Sequence, residues 1–294
     1  MKKHVFIINP ASGVGRYRDV LSWIEEYFYD SKEEYEIRYT EYIGHASEVA
    51  QEYHGDVILY AVGGDGTAHE VLNGINEGVE MAVIPVGTGN DFWKMIQYDK
   101  DLRSVLFDTI EGEVREIDIG LANGRKFLNC ANLGLDAEVN KYVNSIRHPL
   151  FPRKIIYIFA AFKELVKYKP IEIEVEINGS IEKHRIILSS FMNGKWYGGG
   201  FKSAPLAQLD DQKLDVCLIE DIPLRRIWGL VPKYYRGKHL DIPEVTYQQV
   251  SSVRLKSETF ITLGCDGELF EYDDISISIA PDRLKFRIPK GSSI

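Results

Sequence analysis

In the first third of the chain, short apolar runs alternate with amphipathic ones, and this alternation restricts the fold more than any other feature. Residues 4–9, 35–40, 57–62 and 81–84 read as strands. Between them, residues 17–29 place Val20, Leu21, Ile24 and Phe28 at helical spacing, and residues 46–53 read as a second helix. Residues 68–77 form a third, with Val71, Leu72 and Ile75 on one face, and a further helix is predicted from about Asp91. Strand and helix in this order give an α/β domain with a parallel, doubly wound sheet and right-handed crossovers. Ligands of such sheets sit beyond the carboxyl ends of the strands. Three loops fall there: Asn9-Pro10-Ala11-Ser12-Gly13, Gly63-Gly64-Asp65-Gly66-Thr67 and Gly87-Thr88-Gly89-Asn90-Asp91.

From about residue 113 the pattern turns to strands, at 114–120, 125–131, 171–177, 186–193, 214–219, 250–256, 260–264, 275–279 and 284–288. Asn178-Gly179 is a hairpin-turn signal between two of them. One helix is predicted at 154–167, between the breakers Pro152 and Pro170. This half reads as an antiparallel β-sandwich or open barrel. A length of 294 residues favours two domains. They are expected at 1–122 and 123–280, with the tail 281–294 packing back on the first.

Composition excludes several classes. With 45% hydrophobic and 27% charged residues, the chain is an ordinary globular one. The start Met1-Lys2-Lys3-His4 leads into only four apolar residues before Asn9-Pro10, too few for a secretory leader. The apolar run at 155–165 is interrupted by Lys163 and Glu164 and is too short to span a bilayer. Cys130, Cys217 and Cys265 are widely separated, which argues for a reducing cytoplasm and against a disulfide framework or a zinc site. A net charge of −9 argues against nucleic acid as a partner. The cations are nonetheless segregated: seven Lys/Arg at 141–169 face the single acid Glu164, and five at 223–239 face none.

Glycines let backbone N–H groups approach phosphate oxygens, and a following helix offers its positive end. An Asp in such a loop can hold a Mg²⁺ that itself binds phosphate. One such loop is most simply a tight strand-to-helix turn, whereas three in succession point to phosphate. There is no Walker A loop, no protein-kinase signature and no G-x-G-x-x-G after the first strand.

The stretch from Val62 through Gly63-Gly64-Asp65-Gly66-Thr67-Ala68-His69-Glu70 to Gly74 resembles the signature of the diacylglycerol-kinase catalytic domain, shared with sphingosine kinases and bacterial lipid kinases. Residues 8–13 and 85–92 resemble its other two blocks. Asp118-Ile119-Gly120, Asn132-Leu133-Gly134, Leu209-Asp210-Asp211 and Cys265-Asp266-Gly267-Glu268 follow in order over nearly the whole chain. The resemblance implies a first domain that binds ATP, lined by Asn9, Pro10, Ala11, Ser12, Gly13, Thr40, Gly63, Gly64, Asp65, Gly66, Thr67, Ala68, His69 and Thr88. It implies a β-rich second domain that supplies part of a lipid cleft. Glu268 matches the family's general base, Asp118 its assistant, and Asp65 and Asp91 lie at the phosphates. Asp211, with the backbone carbonyls of Gln208 and Lys213, matches a structural Mg²⁺ site of bacterial members. His69 stands where the family usually has Asn, and Gln212 where that metal loop usually has Gly.

Chemistry alone gives Glu268 a weaker case. A lipid hydroxyl is a poor nucleophile, and a carboxylate placed to accept its proton is worth roughly 10²–10⁴-fold in rate. Without the other motifs, Asp266-Gly267-Glu268 reads as a polar turn. The basic segments mix cations with aromatics, Tyr157, Phe159 and Phe162 in one and Trp228, Tyr234 and Tyr235 in the other. That mixture suits an anionic membrane surface, and a solvated helix face is the plainer alternative. The reading is an ATP- and Mg²⁺-dependent lipid kinase of phospholipid metabolism, cytoplasmic and peripheral to the inner face of the membrane. It acts on diacylglycerol first, with a sphingoid base or another hydroxyl lipid left open, and leaves room for a homodimer. A soluble-metabolite kinase of the NAD-kinase type and a catalytically inactive nucleotide-binding regulator are the alternatives.

Overall fold

The structure is a computed structural model that describes residues 2–135, 137–139, 160, 163 and 168–292. The chain divides into two compact units, Met1–Asp118 together with Pro281–Ile294, and Ile119–Ala280.

The first unit is made of β1 (Lys3–Ile8), α1 (Tyr17–Phe28), β2 (Tyr35–Tyr39), α2 (His45–Gln51), β3 (Val57–Gly63), α3 (Asp65–Gly74), β4 (Glu80–Pro85), α4 (Leu102–Ile110), β5 (Glu113–Ile117) and the returning strand β15 (Leu284–Ile288). Its six strands form one sheet in the order β2-β1-β3-β4-β15-β5. Strands β1 to β4 and β15 pair in parallel, and β5 closes the sheet antiparallel to β15. Every residue of β3 and β4 is buried, as a parallel sheet covered on both faces requires. Phe6 and Tyr60 stack at 4.4 Å in that layer. Fully buried Ile7, Ile8, Ile58 and Leu59 each contribute about 1.5–3 kcal/mol.

Two local departures from the sequence reading bear on the site. Helix α3 begins at Asp65, so the G-G-D-G-T segment is a strand end followed at once by a helical first turn. The helix expected from Asp91 is only a 3₁₀ turn, Phe92–Ile96, bracketed by Asn90 and Gln97, each at φ +50°. Left-handed residues at both ends leave no length for an α-helix.

The second unit is a nine-stranded antiparallel sheet. It holds β6 (Gly120–Ala122), β7 (Arg125–Phe127), β8 (Cys130–Gly134), β9 (Ile171–Ile177), β10 (Ser180–Met192), β11 (Leu214–Glu220), β12 (Val245–Val250), β13 (Ser252–Cys265) and β14 (Glu268–Ile279), with α5 at Leu224–Tyr235. The main path is β12-β11-β10-β8-β13-β14-β6-β7, and β9 pairs with both β10 and β13. Because β6 pairs with β14, residues 119–122 belong to this unit. The segments read as strands at 250–256 and 260–264 are one strand, β13, which passes through an irregularity between Lys256 and Ile261. Asn178 and Gly179, at φ +53° and +81°, form the expected hairpin turn. One face buries Phe127, Leu133, Phe191, Val216, Leu255 and Leu263, and the other carries a smaller cluster around Met192, Tyr197, Cys217 and Tyr234. Apart from Ala160 and Lys163, the helix expected at 154–167 lies outside the described residues.

Candidate functional site

The three glycine loops leave the carboxyl ends of the adjacent strands β1, β3 and β4, and they are fastened to one another. Asn9 folds back so that its Oδ1 accepts the Ala11 N–H at 3.0 Å, while its Nδ2 donates to Thr67 Oγ1 at 3.1 Å. The first loop is thereby tied to the first turn of α3. Gly13, at φ +66°, lies so close to the third loop that a Cβ there would stand 2.1 Å from the Val86 carbonyl oxygen. The Gly87 N–H donates to the Gly63 carbonyl at 3.1 Å, and a Cβ on Gly87 would meet Gly64 Cα at 2.5 Å. Only glycine permits this approach of two backbones. Asn90 fixes the third loop by donating to the Pro85 and Gly87 carbonyls at 3.1 and 2.8 Å.

Asp65 is the first residue of α3, and its Oδ2 accepts the Asp91 N–H at 3.3 Å, joining the second loop to the third. Asp91 is buried and ion-paired with Lys94. Thr40 follows β2 and donates its N–H to the Ile8 carbonyl at 2.9 Å, which sets it on the same edge of the sheet. Ala11, Gly66 and Thr88 are exposed there. Thr67, Ala68 and His69 are buried, and His69 hydrogen-bonds to Asn73 one turn along the helix. Their side chains are committed to the interior and the Ala68 N–H already donates to the Gly64 carbonyl at 3.1 Å, so what the segment offers a ligand is the first N–H groups of the helix, up to that of Thr67. Those groups favour phosphate. Mg²⁺ is usually held by one or two carboxylates together with substrate phosphates, and Asp65 beside that helix end fits this requirement. Asp118, at the end of β5, has a fully buried carboxylate that accepts from Arg283 Nε at 3.0 Å.

Glu268 belongs to the second unit, at the first position of β14, directly opposite Cys265. The intervening Asp266 and Gly267 both have positive φ, +47° and +99°, as a two-residue hairpin turn demands. Asp266 also anchors the hairpin. Its carboxylate accepts the consecutive N–H groups of Leu128, Asn129 and Cys130 at 2.6, 3.0 and 2.9 Å, and its own N–H donates to the Cys130 carbonyl at 2.9 Å. Burial pushes the Cys265 thiol up, with Asp266 and Glu268 adding to the effect, so this neighbour is a protonated core residue. The guanidinium of Arg125 lies 3.8 Å from the centre of the Phe270 ring, on the strand that carries Glu268.

In the Asp211 loop, Asp211 Oδ1 accepts the Lys213 N–H at 3.1 Å and Oδ2 accepts from Gln249 Nε2 at 3.4 Å. Nearby, burial raises the Asp215 carboxyl, and the charge of Asp211 contributes to the rise. A cation is chemically suited to such a place. Among the described residues no three His, Cys, Asp or Glu side chains form a metal cage, so a cation here would rest on Asp211 and main-chain oxygens. Gln212 sits at φ +57°, the conformation a glycine would take without strain. Gln212→Gly relieves about 1–2 kcal/mol of left-handed strain against the roughly 0.5–1 kcal/mol that a glycine's freedom costs, so it is expected to stabilise the protein by about 0.5–1 kcal/mol, seen as a raised denaturant midpoint at constant slope. An unchanged midpoint would contradict strain at this position.

Sequence reading missed Asp266, Arg283 and Arg125. Asp266 was visible only as half of an Asp-Gly turn, and its role depends on residues of β8 and the loop before it, far away in the chain. The two arginines carry no local signal.

Comparison with known proteins follows the same division of the chain. Residues 3–122 match the family description of the diacylglycerol kinase catalytic domain, and residues 129–287 match that of the YegS C-terminal NAD kinase beta sandwich-like domain. Diacylglycerol kinases of Staphylococcus aureus strains bovine RF122 and MRSA252 are each 30% identical over 278 residues, covering 91% of this chain and 87% of theirs. A crystal structure of a putative diacylglycerol kinase from Bacillus anthracis superposes with a TM-score of 0.78 at 22% identity, covering 98% of this chain and 97% of that one. A second, of a diacylglycerol kinase from the same organism, gives 0.76 at 20% identity, with 99% and 98% covered.

Proposed function

Because the chain belongs to the diacylglycerol kinase family, we propose that it transfers the γ-phosphoryl group of ATP to the free hydroxyl of diacylglycerol, giving phosphatidic acid. The observation that carries this reading is the joining of three glycine loops around the amino end of α3, with Asp65 at its first position. In this reading the nucleotide phosphates take the N–H groups of that helix end, and Asn9 to Gly13, Thr40 and Thr88 line the rest of the nucleotide. Asp65 holds Mg²⁺, which when bound neutralises charge on the phosphates. Glu268 accepts the proton of the attacking hydroxyl. Asp118, buried against Arg283, and Asp91, buried against Lys94, keep their parts of the chain in place.

Labelled ATP incubated with a total lipid extract, followed by identification of the labelled lipid, tests the acceptor. Diacylglycerol phosphorylation is expected; a labelled sphingoid base would move the acceptor within the same chemistry. Labelled NADP, formed from NAD offered in parallel, would transfer the reading to a soluble acceptor, and tight ATP binding without any product would make the protein a regulator.

The lipid acceptor also requires a membrane approach. Among the described residues no helix is long and apolar enough to cross a membrane. Helix α5 turns Ile227 and Tyr234 inward and leaves Arg225, Val231, Lys233 and Tyr235 exposed, with exposed Arg236 and Lys238 following it. Arg226 is already paired with Glu244. In this reading the outer face of α5 rests on anionic headgroups, at about 1 kcal/mol per cation. Reversing Arg225, Lys233 and Arg236 to Glu is expected to lower partitioning onto phosphatidylserine vesicles by at least about 100-fold, measured by co-sedimentation. Unchanged partitioning would place the membrane contact elsewhere.

A further inference from the structure

Arg125 opens β7 directly across from Ala122, whose side chain belongs to the core of the second unit. Leu263 and Cys265 of β13 belong to the same core, and their partners across β14 are Phe270 and Glu268. Opposed residues of an antiparallel pair share a face, so Arg125, Glu268 and Phe270 all start from one face of the sheet. The guanidinium carbon of Arg125 stands over the Phe270 ring, 3.8 Å from its centre. Glu268 and Phe270 are two residues apart on β14, which spaces their backbones by about 7 Å along that face. Cys265 feels both charges: burial dominates its thiol, Asp266 and Glu268 raise it further, and Arg125 opposes them.

This arginine is also uncommitted. Arg38, Arg226, Arg254, Arg283 and Arg287 each pair with a carboxylate. Among the described residues none pairs with Arg125, which is exposed. A guanidinium at this distance lies on a ring by its face, and its N–H groups, which lie in its own plane, remain available. The ring thus fixes the fork without using its donors. A fork fixed beforehand suits two oxygens of one phosphate.

We propose that Arg125 binds the phosphoryl group as it arrives on the acceptor hydroxyl and holds it in the product, a lipid phosphate monoester. This rests on the reading of Glu268 as the base for that hydroxyl. In the step, the hydroxyl oxygen bonds to the γ-phosphorus, the bond from that phosphorus to ADP breaks with its electron pair leaving on ADP, and the proton passes to Glu268. The acceptor oxygen lies a hydrogen-bond length, about 2.7 Å, from the carboxylate, and phosphorus is one bond beyond it. A guanidinium over the next residue on that face is within reach of the outer oxygens of the phosphate. An anionic base and an anionic phosphoryl group repel each other, and a cation beside both offsets the repulsion. The unreacted hydroxyl carries no charge, so Arg125 gains its partner only as phosphorus arrives. Its contribution therefore falls on the chemical step and on the product.

Steady-state kinetics of the full chain, with dioctanoyl phosphatidic acid as product inhibitor, test the proposal. Arg125→Met keeps an unbranched stem beside Phe270 and removes the fork. It is expected to lower kcat about 10- to 100-fold and to weaken inhibition by dioctanoyl phosphatidic acid by a similar factor, the range for one charged hydrogen-bonding group. KM for diacylglycerol and inhibition by ADP should change less than about threefold. Arg125→Lys should recover part of both losses, since a point charge remains without the fork. Partitioning onto phosphatidylserine vesicles should be unchanged in both variants. A folded Arg125→Met protein with wild-type kcat and wild-type inhibition by phosphatidic acid overturns the proposal and leaves the lipid-kinase reading intact. A fall in vesicle partitioning that matches the kinetic loss overturns it in favour of a headgroup contact. A wild-type chain that phosphorylates no diacylglycerol overturns both.

Discussion

A Glu268→Gln variant should fold as the wild type does and lose phosphoryl transfer by roughly 10²–10⁴-fold, the range expected when a general base is removed. The substitution keeps size and shape and removes only the ability to take a proton. The fold should tolerate it because Asp266 fastens the hairpin through three backbone N–H groups. The loss should fall on kcat, with KM for ATP little changed, since nucleotide contacts are assigned to the other unit. A folded Glu268→Gln protein with full activity would remove Glu268 from the chemistry.

The second large effect concerns stability. Leu128, Asn129 and Cys130 are all buried, and Asp266→Ala would leave their three N–H groups without their acceptor. An unsatisfied buried donor costs about 1–3 kcal/mol, so even with partial relaxation the variant should lose roughly 3–6 kcal/mol. Asp266→Asn keeps one acceptor oxygen and should fall between. Activity should fall in both, because the turn that sets the position of Glu268 is no longer anchored. Urea denaturation measures the effect, and a loss below about 1 kcal/mol would show that the three contacts are not the anchor.

These residues also show where sequence is informative. The strands of the first unit were legible because parallel strands buried on both faces read as unbroken apolar runs, as in Val57 to Val62. Asp65 was placed in a loop because glycines on either side hide a helix start, whereas Gly64 acts as the N-cap and α3 begins at once. Strand β12 went unread. Its Val245-Thr246-Tyr247-Gln248-Gln249-Val250 is a half-exposed edge without apolar alternation. The apparent break in β13 is an irregularity in pairing that polar Ser257 and Glu258 disguise as a loop. Gln212 shows the limit of residue preference, since the left-handed conformation that favours glycine is adopted without one. The three loops were recognisable individually, but their fastening through Asn9–Thr67 and Asp65–Asp91 is tertiary. The Asp118–Arg283 and Asp266 contacts join residues more than a hundred positions apart and leave no local trace.

Asp65 and its surrounding loops are expected to direct the ATP phosphoryl group to a lipid hydroxyl. The most direct test of this is transfer from γ-labelled ATP, with Mg²⁺, to diacylglycerol in mixed micelles, comparing the wild-type chain with a folded Asp65→Ala variant. Labelled phosphatidic acid is expected from the wild type and none above background from Asp65→Ala. Equal labelling by both proteins, or no lipid labelled by a wild-type protein that phosphorylates NAD, would contradict it.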